Sequence, residues 1–323
     1  MPDLPDDLRA ALYAGLTGVA IDPLRRSVGR LIEAYRSGTT PKSPIVADSA
    51  DAAAYAAYRM PATFSAVDAA LAGLPAEFGP TSLLDLGGGT GAAAWAALAR
   101  FPSIGAVTIA DQAEPALAQG ASLALGASSP VLRAAAWRRW VLGDPTPAAA
   151  ELVTISYVLG ELSPNQQREL LSVAMAAATR GLVVVEPGTP AGYARIIAAR
   201  TALIDSGWTI AAPCPHQMAC PLAAGDWCHF GVRVNRSALH RRLKEADLSY
   251  EDEKYAYLVA VRDWSAPGEM ARVLRRPIQR KGLVQLRLCR PDGSAGDRVI
   301  TKKLGTDVYK AARDTEWGDA WPV

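Results

Sequence analysis

The sequence predicts an α/β fold in which a mostly parallel β-sheet is covered by helices on both faces. Two observations support this prediction: short, continuously apolar runs typical of strands buried on both sides, and stretches between them whose apolar residues recur three or four positions apart. Half of the 323 residues are hydrophobic and 20% are charged, which is the composition of a globular protein. A chain of this length buries a sizeable core and needs no disulfides to hold it together.

The N-terminal region, residues 1–78, is predicted to be helical. Apolar residues recur at helical spacing through residues 8–35, a break follows at residues 37–41, and an alanine-rich helix is expected over residues 49–75. Pro61 predicts a stop or kink just before it. The acidic N-terminus lacks the apolar segment of a secretory signal, and no apolar run is long enough for a membrane span, so we expect a cytoplasmic protein.

A core of alternating strands and helices is predicted over residues 79–206. This alternation is typical of βαβ units that build a parallel sheet. The predicted strands are residues 82–86, 107–110, 140–142, 152–156 and 182–185, and the predicted helices are residues 92–100, 113–124, 164–179 and 190–206.

The alternation stops after this core, and residues 207–323 are predicted to form a C-terminal region of different character. Residues 214–228 look like a loop because prolines and a glycine interrupt them. A helix is expected over residues 236–247, and strands are expected over residues 255–261 and 282–289. These two strands could end the main sheet as an antiparallel pair, or they could belong to a separate small β unit.

A glycine-rich segment, Leu84-Asp85-Leu86-Gly87-Gly88-Gly89-Thr90-Gly91, follows the first core strand and opens a helix. Glycines let the backbone turn tightly and approach a ligand closely, and the helix N-terminus supplies unpaired N–H groups. No Gly-Lys-Ser/Thr follows, so the segment is not an ATP-binding P-loop. Asp85 lies inside the motif, Asp111 ends the second strand, and Asp144 follows the third, which are positions suited to contacting a nucleoside.

This order of motifs resembles that of the class I S-adenosylmethionine-dependent methyltransferases more than that of the NAD-binding dehydrogenases. The resemblance implies a Rossmann-like sheet that binds S-adenosylmethionine. It also implies a role for each cofactor-binding residue: Gly87, Gly89 and Gly91 line the methionine and ribose, Asp85 orders the loop, Asp111 holds the ribose, and Asp144 faces the adenine amino group.

The residues that would contact the methyl acceptor are much less informative than those of the cofactor motifs. Enzymes that methylate exocyclic base nitrogens usually carry Asn/Asp-Pro-Pro-Tyr/Phe after the fourth strand, and residues 156–162 do not match this motif. Glu161 or Glu186 could act as a base, but each could equally be a solvated strand-end acid. The sequence therefore assigns no catalytic residue.

The four cysteines of the chain are distributed as three plus one. Cys214, Cys220 and Cys228 lie in the loop-like stretch, and Cys289 lies 61 residues after Cys228 on a predicted strand. Four thiolates are what a [4Fe–4S] cluster requires, and they also suit a tetrahedral zinc ion. Pro215 and Pro221, which follow two of the cysteines, stiffen the loop.

The cysteine spacing leaves several interpretations open. It is looser than the C-x2-C knuckles of common zinc sites, which favours a cluster over a single ion. His216 and His229 are possible alternative ligands. Unliganded thiols are the simplest alternative, whereas the reducing conditions of the expected compartment argue against disulfides.

The charge of the chain is unevenly distributed. Residues 231–313 contain 19 lysines and arginines against 10 aspartates and glutamates, whereas the rest of the chain has an excess of acidic residues. A basic C-terminal third on an acidic body favours a polyanionic partner that docks at one end. A solvated surface whose charges merely cluster is the alternative.

The cysteine block and its surroundings resemble a known family. The segments Cys-Pro-His and Cys-Pro-Leu and the segment Trp-Cys-His-Phe carry the resemblance, together with residues 59–64, residues 250–255 and Arg280-Lys281-Gly282. They resemble the small-ribosomal-subunit methyltransferase-like family of mitochondrial ribosome assembly, of which this chain would be a bacterial homologue. The resemblance covers roughly residues 50–315.

The family resemblance implies cofactors and a partner. It places a [4Fe–4S] cluster on Cys214, Cys220, Cys228 and Cys289, and it makes the RNA of the small ribosomal subunit the partner of a chain that we expect to be monomeric. Twelve basic residues could contact RNA phosphates: Arg233, Arg236, Arg241, Arg242, Lys244, Arg275, Arg276, Arg280, Lys281, Lys302, Lys303 and Lys310. Tyr255 and Tyr257 are expected in the core rather than stacked on bases.

Three functions remain open at this point. The chain could methylate small-subunit RNA, it could be a non-catalytic assembly factor that uses the same fold, or it could be a zinc-containing methyltransferase for another substrate.

Overall fold

The computed structural model describes residues 4–16, 21–36, 45–235, 250–265 and 269–322. Its helices are α1 (Asp6–Leu16), α2 (Ile21–Arg36), α3 (Ser49–Tyr58), α4 (Met60–Leu71), α5 (Ala92–Arg100), α6 (Glu114–Ala124), α7 (Pro130–Arg133), α8 (Pro164–Ala177), α9 (Pro190–Asp205) and α10 (Thr306–Asp314). The helix predicted over residues 236–247 lies outside the described residues. None of the described helices is both long and apolar enough to cross a membrane.

The main sheet has eight strands in the order β3-β2-β1-β4-β5-β8-β6, with β7 paired to β8. The strands are β1 (Ser82–Leu86), β2 (Ala106–Asp111), β3 (Ala136–Arg139), β4 (Ala150–Ser156), β5 (Ala178–Pro187), β6 (Thr209–Ala212), β7 (Phe230–Asn235) and β8 (Tyr250–Val261). Strands β1 to β5 are parallel, whereas β8 runs antiparallel to β5, β6 and β7. This order confirms the predicted Rossmann-like methyltransferase sheet.

Helices cover both faces of the main sheet. On one face Phe64 of α4 and Trp95 of α5 pack in a core with Leu83 and Val183 of the strands. On the other face Leu170 of α8 and residues of α9 pack against the opposite sides of the same strands. Strand β1 lies between β2 and β4, so the strand order reverses its direction at β1. A crevice therefore forms outside the carboxyl end of β1, and ligands bind at this position in such sheets.

One predicted strand was wrong. The third strand was expected at residues 140–142, but β3 occupies Ala136–Arg139. It is the edge strand of the sheet, and Arg138 and Arg139 are exposed, so it does not show the apolar run of a strand buried on both faces. The apolar residues that misled the prediction follow β3, where the Trp140 N–H donates to the carbonyl oxygen of Asp111.

The N-terminal helices pack on the main sheet. The predicted interruption before Pro61 is confirmed, because α3 ends at Tyr58 and α4 begins at Met60 with the proline in its first turn. Helix α4 is buried along almost its whole length. Helix α3 contacts α2, α4 and α6, which brings its residues toward the carboxyl edge of the sheet.

A second sheet has five strands: β9 (Met270–Val273), β10 (Ile278–Arg280), β11 (Leu283–Cys289), β12 (Ala295–Thr301) and β13 (Ala320–Pro322). Val284, Leu286 and Ile300 form its buried face together with Tyr309 of α10 and Trp321. The two C-terminal strands predicted from the sequence therefore separate: residues 255–261 lie in β8 of the main sheet, and residues 282–289 lie in β11 of the small one.

Candidate functional site

The glycine loop after β1 turns sharply at the carboxyl edge of the main sheet. Gly87, Gly89 and Gly91 have φ angles of 69°, 52° and 82°, in the left-handed region that residues with side chains rarely adopt. The N–H of Gly87 donates to the carbonyl oxygen of Ala110 at 2.7 Å, which ties the loop to β2. Helix α5 begins directly after Gly91, so its unpaired N–H groups lie at this edge.

Asp85 lies beneath the glycine loop and is fully buried. The hydroxyl of Thr154 donates to its Oδ1 at 2.7 Å, whereas its Oδ2 has no partner. Burial raises the pKa of Asp85 to about 7, and the hydrogen bond from Thr154 opposes this rise. The backbone of Gly88 passes so close to this carboxyl that a Cβ there would clash with it. Asp85 thus supports the loop from below.

Asp111 holds the glycine loop and the turn after β2 together. Its Oδ2 accepts from the Gly89 N–H at 2.9 Å, and its Oδ1 accepts from the Ala113 N–H at 2.7 Å. Burial raises the pKa of Asp111, and these backbone hydrogen bonds lower it. Each carboxylate oxygen has a second lone pair, so the group can still accept from a bound hydroxyl.

Gly87, Gly89 and Asp111 line a cleft at this edge, opposite Ser156 and Tyr157 at the end of β4. The three other predicted residues do not line it, and Asp85 lies beneath the loop. A Cβ at Gly91 would meet the ring of Trp137 at 2.7 Å, so this glycine serves close packing. Asp144 is exposed and its Oδ2 accepts from the Val141 N–H at 2.9 Å within its own turn.

The N-terminal region supplies a wall of the cleft that the sequence did not reveal. Ile45 and Val46 line the cleft, and so does Tyr55 of α3. Burial raises the pKa of the Tyr55 phenol. Nothing in the local pattern of an alanine-rich helix distinguishes this tyrosine from a core residue, because its place in the cleft depends on how α3 packs on the sheet.

A partly buried ion pair lies behind Tyr157, which lines the cleft. The Arg59 guanidinium donates two hydrogen bonds to Glu253 of β8, at 3.0 and 2.9 Å, and the Tyr157 hydroxyl donates to the same carboxylate at 2.9 Å. Tyr157 has a φ of 61°, a backbone conformation that costs about 1–3 kcal/mol in a residue with a side chain. Arg59 lies 4.8 Å above its ring. We call these three residues the Arg59–Glu253–Tyr157 network.

The two candidate bases lie in different settings. Glu186 is fully buried, and it accepts from the Arg195 Nε at 2.6 Å and from the Leu159 N–H at 3.0 Å. Burial raises its pKa and Arg195 lowers it. Glu161 lines the cleft. Glu186 therefore fixes the turn after β4, and it is buried instead of solvated as the alternative interpretation expected.

All four cysteines line one cavity, which lies between the two sheets. Cys214 follows β6, Cys228 precedes β7, and Cys289 ends β11. The Tyr193 hydroxyl lies 3.1 Å from the Cys220 sulfur, and Nε2 of His216 lies 3.4 Å from the Cys289 sulfur. None of the four is in a disulfide. Folding thus places the distant strand thiol at the same cavity as the three loop thiols.

The thiols of this cysteine cavity affect one another electrostatically. Burial, with added contributions from the neighbouring thiols of Cys214 and Cys220, raises the pKa of Cys289 to about 12. Burial likewise raises the pKa of Cys228 well above its usual value, with contributions from the other three thiols. The pKa of Cys214 is also raised by burial, and the charge of Arg200 opposes this rise.

The cysteine cavity is held by contacts from several elements. The side chain of Gln217 pairs with both backbone groups of Ile210, at 2.8 and 2.9 Å, and fixes the cysteine loop to β6. His216 is buried, and its pKa is lowered by burial and by Arg200. His229 stacks on Trp227 instead of lining the cavity. Among the described residues, no group of three or more histidine, cysteine or acidic side chains is placed so that it could hold a metal ion.

The basic residues of the C-terminal third fall into three groups. Arg233 and Arg276 pair with Asp252, and Arg275 pairs with Asp226. Arg280, Lys281, Lys302, Lys303 and Lys310 are exposed. Arg236, Arg241, Arg242 and Lys244 lie outside the described residues. Tyr255 and Tyr257 are buried, which confirms the prediction that both belong to the core.

The sequence model of one family, described as mitochondrial small ribosomal subunit Rsm22, matches residues 49–322. The chain belongs to the Rsm22 family. The matched region begins at α3 and runs through β13, so it includes the cleft, the cysteine cavity and the small sheet. The resemblance predicted from the cysteine block is therefore confirmed.

Two mitochondrial ribosome assembly proteins are similar to this Rsm22-family chain. Human ribosome assembly protein METTL17 is 28% identical over 291 residues, which cover 83% of this chain and 62% of METTL17. Ribosome assembly protein RSM22 of Saccharomyces cerevisiae is 23% identical over 177 residues, which cover 35% of this chain and 28% of that protein. The chain thus spans less than two thirds of the length of either relative.

Among solved structures, the magnesium protoporphyrin IX methyltransferase of Synechocystis with bound S-adenosylmethionine is 14% identical, with a TM-score of 0.41, over 81% of this chain and 100% of that protein. The fold assignment comes from the strand order of the Rsm22-family chain itself.

We predict that Glu253→Gln destabilises the fold by about 3–5 kcal/mol, because it leaves the Arg59 charge buried without a counter-charge. The measurement is the free energy of urea unfolding. Asp252→Asn is the matched control: it lies on the opposite face of β8 in exposed ion pairs, and its loss costs about 1 kcal/mol or less. Equal effects of the two substitutions would contradict the buried network.

We predict that wild-type stability falls as the pH rises from about 4 to about 7, because Asp85 keeps its proton in the folded state and loses it in the unfolded state. The slope contributed by Asp85 is at most about 1.4 kcal/mol per pH unit. Asp85→Asn removes this contribution, so urea unfolding at several pH values gives a flatter profile for the variant. Asp144→Asn, at an exposed site, is the control. Parallel profiles for wild type and Asp85→Asn would show that Asp85 does not titrate in this way.

Proposed function

We propose that this Rsm22-family chain is an S-adenosylmethionine-binding, [4Fe–4S]-containing assembly factor that docks on the RNA of the small ribosomal subunit. The observation that carries the docking function is a group of unpaired cations at one end of the small sheet. We call Arg280, Lys281, Lys302 and Lys303 the basic corner.

Strand register brings the basic corner together. Arg280 pairs with Leu283 across β10 and β11, and Leu283 pairs with Thr301 across β11 and β12. Lys281 in the turn after β10 therefore lies at the same end of the sheet as Lys302 and Lys303, which follow β12. All four cations are exposed.

The basic corner differs from the other basic residues in its charge balance. None of its four cations pairs with a carboxylate of the described residues, whereas Arg233, Arg275 and Arg276 all do. Like charges held together repel unless an anion lies between them, and an RNA backbone offers one phosphate charge per nucleotide. Such contacts orient RNA on the protein without reading its sequence. The ribosome assembly role named for METTL17 and RSM22 supports small-subunit RNA as this ligand.

The cleft supports S-adenosylmethionine as a ligand. It lies at the switch point of the sheet, its floor is a glycine loop in left-handed conformation, and Asp111 can accept from ribose hydroxyls. The α5 N-terminus supplies unpaired N–H groups that suit the carboxylate of the methionine part.

The cysteine cavity supports a [4Fe–4S] cluster. Its donor set is four thiols, which is what such a cluster takes, and buried polar atoms without partners lie beside it, including His216 Nδ1 and Arg200 Nε. In a [4Fe–4S] cluster, the four thiolates bind four different iron atoms at separate corners of the cubic core. Four thiolates around one zinc ion lie closer together, because each Zn–S bond is only about 2.3 Å long. When bound, the cluster would cross-link the two sheets, because metal binding to the folded state adds to folding stability.

The acceptor side favours docking over methyl transfer. Glu253 and Glu186 are both paired with arginines, and the Tyr157 hydroxyl donates a hydrogen bond to Glu253. Methyl transfer to RNA is the second candidate function, and the glycine loop and Asp111 favour it. Methyl transfer requires bound S-adenosylmethionine, whereas docking on RNA does not.

We predict that Gly89→Arg abolishes S-adenosylmethionine binding, because a side chain at φ 52° strains the loop and enters the cleft. Binding is measured by isothermal titration calorimetry. Gly207→Arg is the matched control: its φ is 80°, and a Cβ there meets nothing within 4 Å. The docking function predicts that Gly89→Arg still binds transcribed small-subunit RNA, without methyl transfer by either protein. Transfer by wild type that disappears in Gly89→Arg would establish the enzyme instead.

We predict that replacing Lys281, Lys302 and Lys303 by alanine weakens binding of transcribed small-subunit RNA. The slope of log affinity against log salt also falls, by roughly 0.7–0.9 for each phosphate that the variant no longer neutralises. Fluorescence anisotropy at several salt concentrations measures both quantities. The matched control replaces Arg233, Arg276 and Arg287, which are already paired with aspartates. An equal weakening in both triple variants would contradict the basic corner as the docking site.

A further inference from the structure

Arg200 is a buried cation at the cysteine cavity. It belongs to the face of α9 that also presents Tyr193 and Ile196 to the cavity. Only 4% of Arg200 is exposed. Its guanidinium donates to the carbonyl oxygens of His216 and Met218 at 2.8 and 2.7 Å. These two bonds hold the segment between Cys214 and Cys220.

Arg200 has no acidic partner among the described residues. It forms no ion pair with any of them, and no aspartate or glutamate of that part of the chain lines the cavity. A buried charge without a counter-charge is costly, and neutral donors could hold two carbonyl oxygens at a lower desolvation cost. The positive charge of the Arg200 guanidinium therefore requires a nearby anion.

Two observations point from Arg200 to the thiols. Arg200 lines the same cavity as all four cysteines, and its charge acts against the burial that raises the pKa of Cys214 and Cys289. Its Nε is buried without a partner. The cysteine sulfurs are thus the groups that can supply negative charge to this guanidinium.

Arg272 is a second cation of the same kind. It lies on β9, its Nε donates to the carbonyl oxygen of Pro213 at 3.0 Å, and its Nη1 donates to that of Gly318 at 2.7 Å. It forms no ion pair within the described ranges either, and its charge acts on Cys214 and Cys289. Two arginines without a carboxylate partner in the described ranges therefore lie near the thiols: Arg200 lines their cavity, and Arg272 lies opposite Cys289 across β9 and β11.

We propose that Arg200, assisted by Arg272, is the counter-cation that allows the four cysteines to bind their cluster as thiolates. This inference rests on the cluster of the proposed function. Four thiolates on an oxidised four-iron core leave about two net negative charges in a partly buried cavity, and the two arginines match them. Arg200 is a positioning residue: it fixes the cysteine loop and balances its charge without being a ligand.

The proposal predicts two effects of removing the charge. Cluster affinity falls, since residues that orient and neutralise metal ligands typically contribute about 10-fold to 100-fold. The midpoint potential becomes more negative, because reduction adds an electron to a site that has lost a positive charge. A residue that only holds the cysteine loop in place would not change the midpoint potential of the cluster that remains bound.

The test compares anaerobically purified wild type with Arg200→Gln, which keeps donors but loses the charge, and Arg200→Lys, which keeps the charge. Arg168→Gln, at an exposed arginine of α8, is the control. The readouts are iron and acid-labile sulfide per chain and the midpoint potential, with calorimetric S-adenosylmethionine binding as the test of folding. We expect loss of iron and sulfide and a more negative potential in Arg200→Gln, and recovery of both toward wild type in Arg200→Lys.

Equal iron, sulfide and potential in wild type and Arg200→Gln would overturn the role of Arg200 and leave the cluster in place. Wild-type protein without iron and sulfide would overturn the cluster itself. If Arg200→Gln does not fold, Arg272→Gln takes its place, because Arg272 is only partly buried and is expected to shift the potential in the same direction.

Discussion

The structure depends on one constraint: four thiols that are scattered along the C-terminal half of the sequence must share a cavity between two sheets. Cys214 and Cys228 flank strands that pair with β8, and Cys289 belongs to the small sheet. The cavity therefore lies at the interface between the main sheet and the small sheet, which carries the basic corner. A centre bound by all four sulfurs would fix the orientation of the basic corner, the proposed RNA-docking surface, relative to the cleft.

Strand β8 connects the cysteine cavity to the cleft. Glu253 holds the Arg59–Glu253–Tyr157 network beside the cleft, and Tyr257, four residues further and on the same face of the strand, lines the cysteine cavity. Cofactor cleft and cysteine cavity thus share one rigid element. The Arg59–Glu253 ion pair lies behind Tyr157 on one side of the cleft, whereas Glu161, one of the two candidate bases, lines the cleft itself.

The parts of the account that the sequence predicted are those with a local signature. Continuous apolar runs located the buried strands, the glycine loop located the cleft, and the clustering of cysteines located the cavity. Edge strand β3 lacked such a run. Arg59 and Glu253 lie 194 positions apart, and Tyr55 and Arg200 sit in helices whose pattern indicates only amphipathic packing. Their roles arise from tertiary contacts between elements, and local periodicity carries no information about those contacts.

The most direct test of the central claim is the iron, zinc and acid-labile sulfide content of wild-type protein purified without oxygen, together with its absorption spectrum. The account predicts about four irons and four sulfides per chain and a broad visible absorbance. One zinc per chain without sulfide, or protein free of metal with four reactive thiols, would contradict it.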